Sequence, residues 1–242
     1  MKISELFNVS GKVAVVTGGS RGIGEMISSG FLANGVKVYI TARKEGPLVE
    51  KATELAKKYD AVCIPIACDL SNSVGIDYLL KQIKEKEGAI DFLINNAGAA
   101  WGEPFDEFSE VGWDKVMDLN VKSLFFLTQK LTEMLKFRAS SSDPSRVINI
   151  GSIDGLNVPA FESYSYSTSK AAVHHLTRVL AAKLVRENIL VNAIAPGPYP
   201  SQMLGSALGH DYSETAKKNP RKRVGLPEDI AGLAIFLCSQ AG

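Results

Sequence analysis

Tyr166 and Lys170 stand four residues apart, a spacing that puts a phenol and an ammonium on one face of a helix. A free phenol has a pKa of about 10 and exchanges protons poorly at pH 7. A positive charge at about 4 Å favours the phenolate by roughly 4 kcal/mol at an effective dielectric of 20. That would lower the pKa by about three, into the range of an acid–base catalyst. The competing Tyr164 has Thr168 four residues on, so only Tyr166 is paired in this way. A second chemical signal is the stretch Thr17-Gly-Gly-Ser-Arg-Gly-Ile-Gly24. Gly18, Gly22 and Gly24 let a backbone turn sharply and approach a pyrophosphate, while a following helix offers unpaired N–H groups. The spacing is G-x-x-x-G-x-G rather than the common G-x-G-x-x-G. A third signal is charge. A carboxylate at the end of a second strand would serve ribose hydroxyls, but Thr41-Ala42-Arg43-Lys44 has none. Arg43, with Arg21 in the glycine turn, suits a 2′-phosphate through charge-assisted bonds, which favours NADP(H).

These groups need a scaffold, and the pattern along the chain supplies one. Short apolar runs recur at Val13–Thr17, Val36–Thr41, Ala61–Ala67, Ile90–Asn95, Arg146–Gly151 and Ile189–Ala195. Several are continuously apolar, as expected of strands covered on both faces. Between them lie helical stretches at Gly22–Asn34, Pro47–Tyr59, Val74–Glu87, Val111–Phe137 and Ser163–Glu187, then Ser201–Lys218 and Pro227–Cys238. Strand–helix alternation predicts an α/β fold, a doubly wound parallel sheet with helices on both faces. Ala139–Ser145 reads as an exposed loop. The chain has 242 residues, 45% hydrophobic and 22% charged, which excludes a disordered chain, a collagen-like repeat and a coiled coil. One core can serve about 250 residues. A net charge of +1 gives no global field for nucleic acid or anionic lipid, and no apolar run suits a membrane span. Cys63, Cys68 and Cys238 fit neither a metal site nor a disulfide framework, so a soluble, reduced, cytoplasmic protein without a metal is expected.

Further motifs fall in order. Asn95-Asn-Ala-Gly98 closes the fourth strand, Asn120 lies in the long helix, and Ser152 follows the fifth strand. Tyr166-Ser-Thr-Ser-Lys170 opens the next helix, Pro196-Gly197 follows the sixth strand, and Arg223-Val-Gly-Leu-Pro-Glu-Asp-Ile-Ala231 begins the last helix. With Thr17–Gly24, this set resembles the short-chain dehydrogenase/reductase family from about Lys12 to the end. The resemblance implies one Rossmann-like domain over residues 1–242 with a small substrate lid around 200–221. It implies that Tyr166 gives its proton to a carbonyl oxygen while nicotinamide delivers hydride to the carbon. By the same resemblance Lys170 lowers the tyrosine pKa and holds the nicotinamide ribose, Ser152 hydrogen-bonds the carbonyl oxygen, and Asn120 helps fix a relay water. Taken alone, Ser152 reads equally as a cap or turn residue. Its distance from Tyr166 is one residue longer than is commonest in the family. The implied cofactor contacts are Gly18, Ser20, Arg21, Gly22, Ile23, Gly24 and Arg43, with Asp69 and Leu70 bordering the adenine. Asn96, Ala97 and Gly98 line the path to the nicotinamide, beside Tyr166 and Lys170. Pro196, Gly197, Tyr199 and Ser201 close over it, Ser201 standing where the family often has threonine.

Substrate is less sharply marked. Trp101, Phe105, Leu156, Val158, Phe161, Met203, Leu204 and Leu208 suggest an apolar pocket for an acyl chain or ring. Val147–Met203 resembles the ketoacyl reductases of the rhamnolipid-associated type and 3-oxoacyl reductases more generally. That makes a carbonyl reductase of 3-oxoacyl thioesters, on coenzyme A or acyl carrier protein, the leading expectation. A sugar, polyol or polycyclic ketone is the alternative substrate, and a non-catalytic NADP-binding scaffold the alternative class. The basic run Lys217–Arg223 reads as a solvated connector, with docking of an acidic carrier protein as the other reading. His174 and His175 read as packing or solvent-facing, Trp113 as helix packing, and Cys68 as packing near the adenine. The family usually adds a seventh strand after the last helix, whereas this sequence stops at Gly242. A six-stranded sheet with a less protected edge is therefore expected, and a homodimer on Val111–Phe137 and Ser163–Glu187 rather than a tetramer.

Overall fold

Continuous Val, Ile and Leu runs become strands here because helices cover both faces of the sheet they form. The computed structural model describes residues 2–159, 161–208 and 211–242. Its strands are β1 (Val13–Val16), β2 (Lys37–Ala42), β3 (Cys63–Ala67), β4 (Phe92–Asn95), β5 (Ser145–Ile150) and β6 (Ile189–Ile194). All pairs are parallel, in the order β3-β2-β1-β4-β5-β6. The order reverses between β1 and β4, and it is outside the carboxyl ends of the strands at such a point that a ligand crevice forms.

The helices are α1 (Ile3–Leu6), α2 (Gly22–Ala33), α3 (Glu45–Tyr59), α4 (Ser73–Lys84), α5 (Glu110–Met117), α6 (Ser123–Lys136), α7 (Tyr164–Leu184), α8 (Gln202–Leu208), α9 (Ser213–Lys218) and α10 (Pro227–Cys238). Successive strand residues point to opposite faces. Val13 and Val15 of β1 join one core with Leu79 of α4, Leu127 of α6 and Val173 of α7. Ala14 and Val16 join the other, with Phe31 of α2, Leu48 of α3 and Ile230 of α10. A buried polar chain ties helices to strands within the first layer. Asn95 Nδ2 donates to Thr128 Oγ1 (3.0 Å) and Asn149 Oδ1 (2.9 Å), and Asn149 Nδ2 donates to Thr177 Oγ1 (2.9 Å).

The structure corrects several expected bounds. The long helix Val111–Phe137 is two helices, α5 and α6, joined by a π-helical turn at Asp118–Lys122. Ser201–Lys218 is likewise split into α8 and α9, and residues 209 and 210 of the expected lid lie outside the described residues. β5 begins at Ser145, whose Oγ donates to the Leu135 carbonyl at 2.6 Å and so ties the strand to the end of α6. The described residues form six strands, as the sequence leads one to expect. No helix among them is long and apolar enough to cross a membrane.

Candidate active site

The turn after β1 is built where space and backbone both call for glycine. Gly18 and Gly22 have φ of +64° and +55°, in the left-handed region that glycine adopts without penalty. A Cβ on Gly24 would fall 2.2 Å from the Gly18 carbonyl oxygen and 2.5 Å from Asn96 Nδ2. Thr17 fastens the turn to the neighbouring loop. Its Oγ1 accepts from the N–H groups of Asn96 and Ala97, both at 2.9 Å, and donates to the Ile94 carbonyl at 3.2 Å. Asn96 Nδ2 in turn donates to the carbonyls of Thr17 (2.9 Å) and Gly18 (3.1 Å). The amide expected to line the cofactor path is thus the brace of the glycine turn. Ser20 is half-buried, and Ile23 packs against the core beneath α2.

Arg43 lies exposed just beyond β2, with no ion pair or hydrogen bond to its guanidinium among the described residues. Arg21, also exposed, donates from Nη1 to Gln202 Oε1, linking the turn to α8. Asp69 Oδ1 accepts from the Ser71 N–H at 3.0 Å, while Leu70 is buried in the core. Burial pushes the adjacent Cys68 thiol up to about 11, so it sits there as an inert packing group.

Four further side chains converge near the ends of β4 and β5. Asn120 lies in the π-helical turn, a distortion that recurs at functional sites. Its Oδ1 accepts from the Ala99 N–H (2.8 Å), and its Nδ2 donates to the Ala99 carbonyl (3.0 Å) and to Ser169 Oγ (2.9 Å). Ser169 Oγ donates to the Tyr166 carbonyl at 2.7 Å, which joins Asn120 to α7. A Cβ on Gly98 would lie 3.2 Å from Asn120 Oδ1 and 3.7 Å from Lys170 Nζ. Lys170 is buried, and its Nζ donates to the Ile150 carbonyl at 2.7 Å. Burial lowers its pKa to about 8. Ser152 is also buried, and its Oγ accepts from the Asp154 N–H at 3.1 Å, the turn-capping contact its type allows.

The expected lowering of the Tyr166 pKa is not what this geometry produces. Burial raises it, the nearby Ser152 hydroxyl opposes that rise by hydrogen bonding, and the Asp154 charge adds to it. Lys170 Nζ stands 5.6 Å from the Tyr166 ring centroid and gives one of its hydrogen bonds to Ile150. Burial, which the charge argument leaves out, outweighs the lysine here. At neutral pH the phenol holds its proton, the state required of a proton donor.

The remaining expected contacts split between site and scaffold. The Pro196 carbonyl accepts from the Ile153 N–H at 3.2 Å, fixing the loop after β6 beside Ser152, with Gly197 next in line. Tyr199 packs against Gly225, where a Cβ would fall 2.3 Å from its ring. Ser201 Oγ accepts from the Leu204 N–H at 3.1 Å and caps α8. Trp101, expected in the pocket, instead packs on Gly112, with Lys115 Nζ 4.3 Å over its ring. Phe105 and Phe108 each meet Tyr164 edge-on at 5.5 Å, and Phe108 meets Trp113. Leu156, Val158 and Phe161 are exposed and line a cavity of about 610 Å³ with Asp154, Glu162 and Tyr164. Met203 is partly exposed, Leu204 is half-buried, and the Leu208 side chain lies outside the described part. In the basic run, Arg223 pairs with Asp229 and Lys217 with Glu214 (2.6 Å). Sequence reasoning missed the bracing contacts of Thr17, of Ser169 and of His174, whose Nε2 lies 3.0 Å from the Ser152 carbonyl oxygen. His174 was findable, since it lies four residues beyond Lys170 on the same helical face.

Residues 12–210 match the short chain dehydrogenase family. The chain is 43% identical over 238 residues to the rhamnolipids biosynthesis 3-oxoacyl-[acyl-carrier-protein] reductase of Pseudomonas aeruginosa, covering 98% of this chain and 92% of that protein. It is 36% identical to the 2-dehydro-3-deoxy-D-gluconate 5-dehydrogenase of Dickeya dadantii, covering 99% and 92%. Its fold superposes on the solved Pseudomonas aeruginosa RhlG/NADP active-site complex with a TM-score of 0.93 at 42% identity, covering 98% and 93%.

Proposed function

Because this chain belongs to the short-chain dehydrogenase family, we propose that Tyr166, Ser152, Lys170 and Asn120 are the catalytic set of a 3-oxoacyl-thioester reductase. The enzyme is an NADP-dependent oxidoreductase of that family. The observation that carries the reading is the convergence of a proton-holding phenol, a serine hydroxyl and a buried lysine beside a glycine turn closed to side chains. That turn fits a dinucleotide: Gly18, Ser20, Gly22, Ile23 and Gly24 would cradle the pyrophosphate, with Arg21 and Arg43 at the 2′-phosphate. Asp69, Leu70, Asn96, Ala97 and Gly98 border the rest of the cleft, and Pro196, Gly197, Tyr199 and Ser201 close it. NADPH, when bound, supplies the hydride that reduces the carbonyl carbon. Ser152 and Tyr166 hydrogen-bond the carbonyl oxygen where negative charge builds. Tyr166 then gives up its proton, which a water held with the help of Asn120 would restore through Lys170, still protonated below about 8.

The acyl substrate is supported by the 43% likeness to a reductase of carrier-protein thioesters. It is also supported by the exposed apolar side chains of Leu156, Val158 and Phe161 beside the site. The enzyme would work in the cytoplasm on thioesters of acyl carrier protein or coenzyme A, with residues 200–221 as lid; its three cysteines are free. Phe126, Phe137 and Val179 expose apolar surface on or just beyond α6 and on α7, which supports a homodimer built on those helices. Oxidation of NADPH is the deciding assay, with an acetoacetyl thioester set against sugar-acid and polycyclic ketones. Turnover of the thioester at least about tenfold above the others is expected. Preference for a sugar-acid ketone would replace the acyl assignment and leave the catalytic set standing.

A further inference from the structure

Three residues on one stripe of α7 are bonded to three residues, Asn149, Ile150 and Ser152, where β5 ends. Thr177 Oγ1 accepts from Asn149 Nδ2 at 2.9 Å, and Lys170 Nζ donates to the Ile150 carbonyl at 2.7 Å. His174 Nε2 lies 3.0 Å from the Ser152 carbonyl oxygen and 3.5 Å from the Ser152 nitrogen. Residues 170, 174 and 177 follow the i, i+4, i+7 spacing of a single helical face. The imidazole also fills the space beside Gly151, where a Cβ would fall 2.4 Å from its Cε1 and 2.7 Å from its Nε2. Two local contacts shape the turn: the Ser152 carbonyl accepts from the Gly155 N–H and Ser152 Oγ from the Asp154 N–H, both at 3.1 Å. The sheet ladder ends with the Gly151 N–H on the Ile194 carbonyl at 2.8 Å, and the chain is next tied across by the Ile153 N–H on the Pro196 carbonyl. Between these ties, the Ser152 N–H has no backbone acceptor among the described residues and faces His174.

We propose that His174 is a positioning residue, which clamps the Ser152 peptide onto α7 so that the Ser152 hydroxyl is held against the phenol carried eight residues earlier on the same helix. The two partners of the carbonyl oxygen are thereby set by one rigid element. One ring nitrogen suffices, donating to the carbonyl or accepting from the amide according to tautomer. A misplacement of about 1 Å at a reacting centre costs on the order of a hundredfold in rate, so a loosened Ser152 should be visible in kcat. The inference rests on the assignment of Ser152 and Tyr166 made above.

The test is a double-mutant cycle of His174→Leu with Ser152→Ala, using whichever ketone the wild type reduces. Melting temperature and the NADPH dissociation constant are followed alongside. His174→Leu alone should lower kcat at least about tenfold, with NADPH affinity within about twofold and melting near wild type. His174→Gln, which keeps a hydrogen-bonding group, should recover most of the loss. In the Ser152→Ala background, His174→Leu should cost less than about twofold, because the residue it positions is gone. Equal losses in both backgrounds, no loss in either, or a His174→Leu protein that does not fold would each assign the histidine a purely structural role and overturn the proposal. Wild-type turnover by Ser152→Ala alone would instead remove the assignment on which the inference rests.

Discussion

Lys170 Nζ donates to the Ile150 carbonyl at 2.7 Å while standing 5.6 Å from the centre of the Tyr166 ring, so the lysine is anchored to the end of β5 beside the tyrosine. The anchor fixes the ammonium in a buried place, where removal from water disfavours its charge. Helix α7 therefore carries a tyrosine whose pKa is raised and a lysine whose pKa is lowered, two groups drawn towards each other from opposite sides.

The lysine makes a pH-dependent contribution to stability. Its pKa is about 8 in the folded chain against 10.5 ordinarily. Between those values the unfolded chain binds more protons, so stability rises with pH across that window. Below about 8 the full penalty of a buried charge is present. Lys170→Met removes the penalty, so the variant's stability relative to wild type should be greatest at pH 7 and shrink by up to about 3 kcal/mol by pH 10. Melting curves of both proteins at the two pH values check this, and a difference independent of pH would contradict it.

Tyr166→Phe keeps the ring and removes the proton. Carbonyl reduction should fall by at least about a hundredfold, the lower end of what acid catalysis contributes. Cofactor affinity, read by NADPH fluorescence, should stay within about twofold. Near-normal turnover by this variant would take Tyr166 out of the mechanism.

Arg43 is exposed beyond β2 without a protein partner among the described residues, which leaves its guanidinium available to a phosphate. A hydrogen bond to a charged group is worth about 1.5–3 kcal/mol, and each 1.4 kcal/mol is about tenfold in affinity. Arg43→Ala should weaken NADPH by about tenfold to a hundredfold and leave NADH almost unchanged. Arg43→Asp should do more, through repulsion of the phosphate and a carboxylate offered to the ribose. The ratio of kcat/KM for NADPH over NADH in the three proteins is the measurement, and an unchanged ratio sinks the assignment.

Gly24 and Gly46 make a matched pair for the glycine turn. A Cβ at Gly24 meets the Gly18 carbonyl oxygen at 2.2 Å, whereas nothing lies within 4 Å of one at Gly46 in α3. Gly24→Ala should cost about 1–3 kcal/mol through overpacking and weaken NADPH at least about tenfold. Gly46→Ala should melt at or slightly above the wild-type temperature, since alanine is the better helix former. Calorimetry with NADPH titration separates the two outcomes.

Much of the molecule was legible in the residue order because the deciding interactions are local or periodic. Short unbroken runs such as Val13–Val16 and Phe92–Asn95, bounded by turn residues, read as strands covered on both faces, and they are. Thr17–Gly24 declares a turn by its glycines, and Tyr166 with Lys170 declares a shared helical face by spacing alone. What the sequence left open was decided between residues far apart along the chain. Its arithmetic for Tyr166 counted one charge and omitted burial, which depends on everything packed around α7 and reverses the sign. Nothing local announces that Asn96 braces the Gly18 carbonyl or that Tyr199 packs on Gly225. The break at Asp118–Lys122 carries no proline or glycine to announce it, yet it lets Asn120 bond Ala99 and Ser169 at once. His174 shows the same division: helical spacing aligns it with Lys170, but only the tertiary fold brings it to Ser152, twenty-two residues away along the chain. A periodic pattern fixes which face a side chain occupies, while the partner across that face depends on how the sheet and helices come together.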